Sequence, residues 1–262
     1  PNGSLADIIE LEHKSIPLST WTDTKKLINI YGIASAMSYL HSHNIIHRDL
    51  KPANILEDEN LFPKIADFGL SKIYHQIIDS MSSQSTIGFK GTPIYIAPEI
   101  WTDCNYSKSG DVYSFAFIFY ELFTNIEPFK NYDLNMLHKK VIRDGERPKF
   151  IYAIASCYQN LIERCWSSNP EARPTFDEIA YELRTNNEFI TDTIDKDEFF
   201  DYIESFDGII CTYDPNKQLE TIISTEEDFE SSEKKSEEES DESRGKVIEE
   251  MITTEDKNEE NS

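Results

Sequence analysis

One short run of this chain brings together side chains able to do chemistry. His47-Arg48-Asp49-Leu50-Lys51-Pro52-Ala53-Asn54 sets a carboxylate, an ammonium and a carboxamide close in sequence, between a long helical pattern and a short apolar run. Eighteen residues after Asp49 stands a second carboxylate, Asp67, in Asp67-Phe68-Gly69, and thirty-two after that Glu99 closes Ala97-Pro98-Glu99. Taken singly, Asp49 reads as a solvated loop carboxylate and Asn54 as a turn residue; the order of the three segments argues for more. Two metal readings fail. His41, His43 and His47 include an H-x-H spacing, but no acid or cysteine stands at a convincing distance from it. Asp195-Lys196-Asp197 lacks the glycine and terminal glutamate that a calcium loop needs.

Such residues need a scaffold, and the apolar spacing supplies one. From Thr22 to Leu40, Leu27, Ile30, Tyr31, Ile33, Ala34, Met37 and Leu40 recur at helical intervals behind a Thr22 or Asp23 cap, which predicts a long helix ending near His43-Asn44. Asn54-Ile55-Leu56 and Lys64-Ile65-Ala66, separated by the acidic turn Glu57-Asp58-Glu59-Asn60, predict a short hairpin. Ser71 to Gly91 is polar and aperiodic, a length that inside a compact domain points to a functional loop. Val112 to Phe123 is apolar on nearly every side, so it predicts a buried helix. Further helices are predicted over Leu134 to Arg143, Cys157 to Trp166 and Thr175 to Arg184, the last opened by Pro174 and a Thr175-x-x-Glu178 capping box. We find no internal repeat.

The 262 residues carry 25 Lys plus Arg against 49 Asp plus Glu, a formal charge of -24. That balance argues against nucleic acid or an anionic membrane as the main partner. The excess is uneven: residues 186–262 hold 26 acidic and 7 basic side chains, leaving 23 and 18 in residues 1–185. The first stretch has an ordinary globular composition and suits one domain. Within 188–213 the aromatic and aliphatic residues Phe189, Ile190, Phe199, Phe200, Tyr202, Ile203 and Phe206 predict an amphipathic helix docking back on that domain. Beyond about Pro215 the acidic, Ser-rich sequence predicts disorder. No window approaches the ~18 apolar residues of a membrane span, and no secretory leader is visible. Cys104, Cys157, Cys165 and Cys211 form no C-x-x-C pair and read as free thiols of a reducing compartment, so the cytoplasm is expected. Asn2-Gly3-Ser4 and Asn105-Tyr106-Ser107 match a glycosylation pattern by chance. Residue 1 is proline, which suggests a piece of a longer chain.

The three ordered motifs resemble the eukaryotic protein kinase family. The resemblance implies an α+β protein-kinase-like fold, of which residues 1–185 cover the mainly α-helical large lobe with its short β-hairpin, followed by an acidic tail over 186–262. It implies transfer of the ATP γ-phosphoryl group to protein Ser/Thr hydroxyls, with ATP and Mg2+ as cofactors. Asp49 would accept the hydroxyl proton, Asn54 and Asp67 would hold the magnesium ions, and Lys51 would lie near the transferred phosphoryl. Leu56 matches the apolar residue under the adenine, and His47 and Phe68 the packed spine. Glu99 and Arg173, the latter in Pro170-Glu171-Ala172-Arg173-Pro174, would form a buried ion pair. Asp111 would hold the catalytic loop by hydrogen bonds.

Lys51 two residues after Asp49, and Gly91-Thr92-Pro93-Ile94-Tyr95, resemble the serine/threonine type, with Thr92 and Tyr95 placed to position substrate. Cys165-Trp166 ahead of the Pro170 to Phe176 run resembles the tyrosine-kinase-like branch. Arg48 beside Asp49 marks kinases that read a phosphate on the activation loop, with Ser85 or Thr86 as acceptor for an upstream activating kinase in a signalling role. The sequence contains no G-x-G and no V-A-I-K lysine, so the resemblance includes no small lobe and leaves Leu56 and Phe68 uncovered. A second reading is therefore carried along: a catalytically inactive, kinase-like interaction or regulatory fragment.

Overall fold

The computed structural model describes residues 2–67, 93–103 and 106–212. The chain divides into two compact units, Pro1–Glu204 and Ser205–Ser262; of the second, only the continuation of a helix to Thr212 lies among the described residues.

The centre of the first unit is the helix Asp23–Ser42, begun by Thr22, whose hydroxyl accepts from the Lys25 amide. Leu27, Ile28, Ile30, Tyr31, Ile33, Ala34 and Met37 are all buried along it, so it is enclosed on most sides rather than lying on a surface. It stops where Asn44 takes a positive φ of 61°, a conformation that asparagine tolerates better than most residues. The second buried helix, Lys108–Thr124, starts four residues before the predicted Val112 and carries Tyr113, Phe115, Phe117, Phe119 and Tyr120 into the core. Phe117 meets Tyr113 at 5.1 Å and Trp166 at 5.5 Å, while Phe115 meets Phe176 edge-on at 5.3 Å, geometries that aromatic pairs favour. Asn125, at φ 51°, closes this helix in the left-handed region.

Helices Ser156–Cys165 and Phe176–Thr185 each lie within one residue of the predicted spans. The capping box forms: Thr175 accepts from the Glu178 amide, and the Glu178 carboxylate returns to the Thr175 amide at 2.8 Å. The span Leu134 to Arg143 is not one α-helix. A single turn, Leu134–Met136, runs into a π-helix, Leu137–Arg143, whose wider turns keep Leu137 and Val141 against Ile94. Two helices had no prediction, Leu5–His13 and Pro98–Asp103. The first opens with a Ser4/Asp7 capping box, and these reciprocal bonds to Ser4 hold the Asp7 carboxyl below its usual range.

The hairpin is antiparallel, Ile55–Glu57 with Pro63–Ile65, and Leu56 stands opposite Lys64. Glu57 is thus a strand residue, not part of the turn as its acidic neighbours suggested. The turn begins at Asp58, whose carboxylate accepts the amides of Asn60 and Phe62. The outer edge of Ile55–Glu57 is paired too: Asn2 donates to the Glu57 carbonyl and Glu57 to the Gly3 carbonyl, both at 2.9 Å. Gly3 sits at φ 85°, where an added Cβ would come within 2.7 Å of the Asp7 carboxylate.

The fold continues past residue 185. Phe189, Phe199, Tyr202 and Ile203 are buried in the first unit, and the helix Lys196–Thr212 is the amphipathic element predicted within 188–213. Cys157 and Cys165 are free and buried. Removing the cap oxygen of the Phe176–Thr185 helix by Thr175→Ala is expected to cost about 1 kcal/mol, read as a lower urea midpoint with an unchanged slope.

Candidate active site

The loop from His47 to Asn54 is held from below by Asp111, which sits in the first turn of the helix Lys108–Thr124 and is 2% exposed. Its carboxylate accepts the backbone amides of His47 at 2.8 Å and Arg48 at 2.9 Å, and the His41 ring Nε2 at 2.9 Å. Two successive amides can converge on one carboxylate because Arg48 adopts a positive φ of 72°. A bulky residue there is strained, so the surrounding bonds must outweigh that cost.

His47 is fully buried and locks the loop from inside. Its Nδ1 accepts the Asp49 amide at 3.3 Å while its Nε2 lies 3.0 Å from the Ala66 carbonyl. One ring nitrogen accepts and the other donates, which requires a neutral imidazole; burial pushes its pKa down in the same direction. The Ala66 amide donates to the Asn54 carbonyl at 2.9 Å, so Ala66 ties the loop to the strand that leads to Asp67. Asp67 itself is exposed and, like Arg48, has a positive φ, 58°.

Asp49, Lys51 and Asn54 come together. The Asp49 Oδ2 accepts from Lys51 Nζ at 2.5 Å and Asn54 Nδ2 at 2.9 Å, and Asn54 Nδ2 also reaches the Asp49 carbonyl at 2.8 Å. Both bonds use the nitrogen of Asn54, which leaves its carboxamide oxygen for a cation. That oxygen and the exposed Asp67 carboxylate are hard donors of the type magnesium accepts, so the residues fit the ion. Asp49 keeps Oδ1 for a proton. Leu56, between buried Ile55 and Glu57, stands 46% exposed on the outer face of the hairpin.

Below Leu56 lies a group the sequence reading passed over. Glu57 is 1% exposed, and neither carboxyl oxygen has a hydrogen-bond partner among the described residues. The nearby Asn29 spends its NH2 on the carbonyls of Lys25 and Leu61, each at 3.1 Å, and its amide oxygen is equally unpartnered. Burial raises the Glu57 pKa to about 8, against the opposing influence of the Asn29 side chain and the Lys25 charge. The alternation Ile55, Leu56, Glu57 was the available signal, since alternate strand residues share a face.

The Glu99–Arg173 pair forms as expected. It is bidentate, at 2.6 and 2.9 Å, and Arg173 also donates to the carbonyls of Ser167 and Ser109. Tyr95 departs from its expected role, because its hydroxyl turns inward to Glu121 at 3.2 Å and its ring packs on Phe117. Burial of that hydroxyl and the neighbouring Glu121 carboxylate raise its pKa. The Arg48 guanidinium lies over the Tyr106 ring at 5.8 Å. Phe68, Ser85, Thr86 and Thr92 lie outside the described residues.

Residues 1–183 match the family model of the protein kinase domain. The dual specificity protein kinase shkC of Dictyostelium discoideum is 35% identical, over 70% of this chain and 35% of that protein. A protein kinase and PP2C-like domain-containing protein of Arabidopsis thaliana is 32% identical, over 70% and 32%. A probable serine/threonine-protein kinase of D. discoideum reaches 42% identity, over 56% and 16%. The chain spans about a third or less of the length of these curated relatives.

Two stability measurements follow from these geometries. Arg173→Ala strands Glu99 and is expected to lower stability by about 3–5 kcal/mol in denaturant unfolding. Glu57 has a folded pKa near 8 against an ordinary value of 4.5. Its stabilising contribution is therefore complete below pH 4.5 and lost as pH rises toward 8. Glu57→Gln is expected to remove this slope. The variant should match the parent near pH 4.5, exceed it by an amount on the order of a few kcal/mol at pH 8, and keep that margin above.

Proposed function

The chain belongs to the protein kinase family, and on that premise we propose that it carries the catalytic loop of an enzyme transferring the terminal phosphate of ATP to Ser or Thr hydroxyls of proteins. The observation that carries this reading is the convergence of Lys51 Nζ and Asn54 Nδ2 on one oxygen of Asp49, which fixes the carboxylate and leaves the other oxygen open. Asp49 Oδ1 takes the proton of the substrate hydroxyl as its oxygen bonds to phosphorus and the bond to the ADP oxygen breaks. Lys51, already beside Asp49, offsets negative charge on the phosphoryl in flight. Magnesium bound with the nucleotide neutralises phosphate charge. Asn54, through its carboxamide oxygen, and Asp67 are the residues to hold it. Leu56 supplies an apolar surface for the adenine.

The serine/threonine assignment rests on Lys51 and the Gly91-Thr92-Pro93 sequence, with Thr92 as the positioning residue, and is supported by the similarity to serine/threonine and dual specificity kinases. Cys165-Trp166 and the Pro170 to Phe176 run favour the tyrosine-kinase-like branch. In this reading residues 1–185 are the large lobe, and the cover over the phosphates comes from sequence outside them. Arg48, exposed beside Asp49, receives a phosphate placed on Ser85 or Thr86 by an upstream kinase, and the cytoplasm is the compartment. Retention of Asp49, Lys51, Asn54 and Asp67 together speaks against an inactive interaction fragment.

The test is magnesium-dependent phosphate transfer from ATP to a generic basic protein by the full-length enzyme. Asp49→Asn keeps the shape of the side chain and loses the base, so transfer is expected to fall by about 10²–10⁴-fold. Asp67→Asn should abolish activity at low magnesium and recover part of it as magnesium is raised. Transfer undiminished in Asp49→Asn would end this reading.

A further inference from the structure

The segment beyond the family match is woven into the lobe. The Tyr158 hydroxyl bonds to the Phe189 carbonyl, and Cys157 Sγ lies 3.2 Å from the Glu188 carbonyl. The Asp195 amide donates to Thr24 Oγ1 at 2.8 Å, and Glu198 pairs with Lys25 at 2.7 Å. Asp195 in turn caps the helix Lys196–Thr212 by accepting the amides of Asp197 and Glu198. Phe199 and Tyr202 meet the Tyr31 ring edge-on, at 5.9 and 6.3 Å.

Tyr202 touches more than the core. Its ring lies 4.7 Å from that of Phe62, which also has the Lys25 ammonium 4.6 Å from its ring centre. Phe62 leads directly into the strand Pro63–Ile65, which is paired with Ile55–Glu57 and thus fixes how Leu56 is presented. The opposing helix leaves room for this contact at Gly32, where a Cβ would stand 2.4 Å from the Tyr202 hydroxyl and 2.7 Å from Pro63. Such a gap, lined by the added segment on one side and the hairpin on the other, fits a three-way contact and not an incidental surface one.

We propose that residues 186–204 are a built-in positioning element of the nucleotide site, with Tyr202 as the residue that holds the hairpin and so sets the apolar floor at Leu56. The inference rests on the reading of Leu56 as that floor. Tyr202 is a positioning residue: it acts through Phe62 and Pro63 and touches neither ATP nor protein substrate. Each side of the contact is packed, so loss of the ring removes one support of the turn from Asp58 to Phe62, while the loop held by Asp111 is unaffected. The kinetic consequence falls on ATP affinity more than on the chemical step.

The experiment compares parent, Tyr202→Ala, Tyr202→Phe and Gly32→Ala in the full-length enzyme, by ATP kinetics and by hydrogen exchange. Tyr202→Ala is expected to raise the KM for ATP about 5–20-fold with kcat changed less than about twofold, and Tyr202→Phe to stay near the parent. Exchange should quicken over Ile55–Glu57 and Pro63–Ile65 and stay unchanged over Phe176–Thr185. Gly32→Ala approaches the contact from the other side and is expected to raise the same KM without removing any contact of Tyr202 by truncation. Unchanged KM in both Tyr202→Ala and Gly32→Ala would overturn the proposal. So would exchange that rises evenly over the lobe with activity tracking the folded fraction, since that is mere stability. The Asp49→Asn control separates the two readings: transfer that persists in it refutes the catalytic assignment, while the exchange pattern still decides whether Tyr202 holds the hairpin.

Discussion

The Asp111 carboxylate, buried and accepting two consecutive backbone amides and a histidine ring, is the interaction from which the rest of the site hangs. A loop carrying a strained arginine has no reason of its own to keep that shape in water. The carboxylate supplies the reason, because releasing either amide would leave a buried charge short of partners, a far larger cost than the backbone strain at Arg48. Asp111 belongs to the most buried helix among the described residues, so the position of the loop is inherited from the packing of Tyr113, Phe115 and Phe117.

The charges are distributed accordingly. Groups that must stay put are neutral or fully paired: His47 is held as an uncharged ring with both nitrogens used, and Arg173 is enclosed by Glu99 and two carbonyls. Asp67 and Arg48, by contrast, are left toward solvent. Glu57 is the exception. It is an acid kept in the interior, where burial outweighs the Asn29 side chain and the Lys25 charge and raises its pKa to about 8.

The first compact unit, Pro1–Glu204, does not end where the family match ends. Residues 186–204 carry acidic side chains outward and bury Phe189, Phe199, Tyr202 and Ile203 inward, which is how a stretch with so unbalanced a charge remains folded. The aromatic contacts of Tyr202 place this addition against the hairpin rather than on an idle surface.

The sequence by itself singled out candidate residues and the main helices. Asp49, Lys51, Asn54, Asp67, Glu99, Asp111 and Arg173 were picked out by ordered motifs and the resemblance they carry, and the helices by apolar period and capping residues, a local signal. It could not decide the partners of those residues, since Asp111 lies more than sixty positions from the amides it holds and Arg173 seventy-four from Glu99. Leu5–His13 was missed because its nine residues are too short for periodicity to stand out, although Ser4 and Asp7 marked its start. The π-helical turn, the inward hydroxyl of Tyr95 and the burial of Glu57 were decided by tertiary packing. Each depends on what the fold brings opposite the residue: Ile94 for the turn, Glu121 for the hydroxyl and Asn29 for the acid. A linear pattern carries the spacing along one element, and only the assembled lobe sets one element against another.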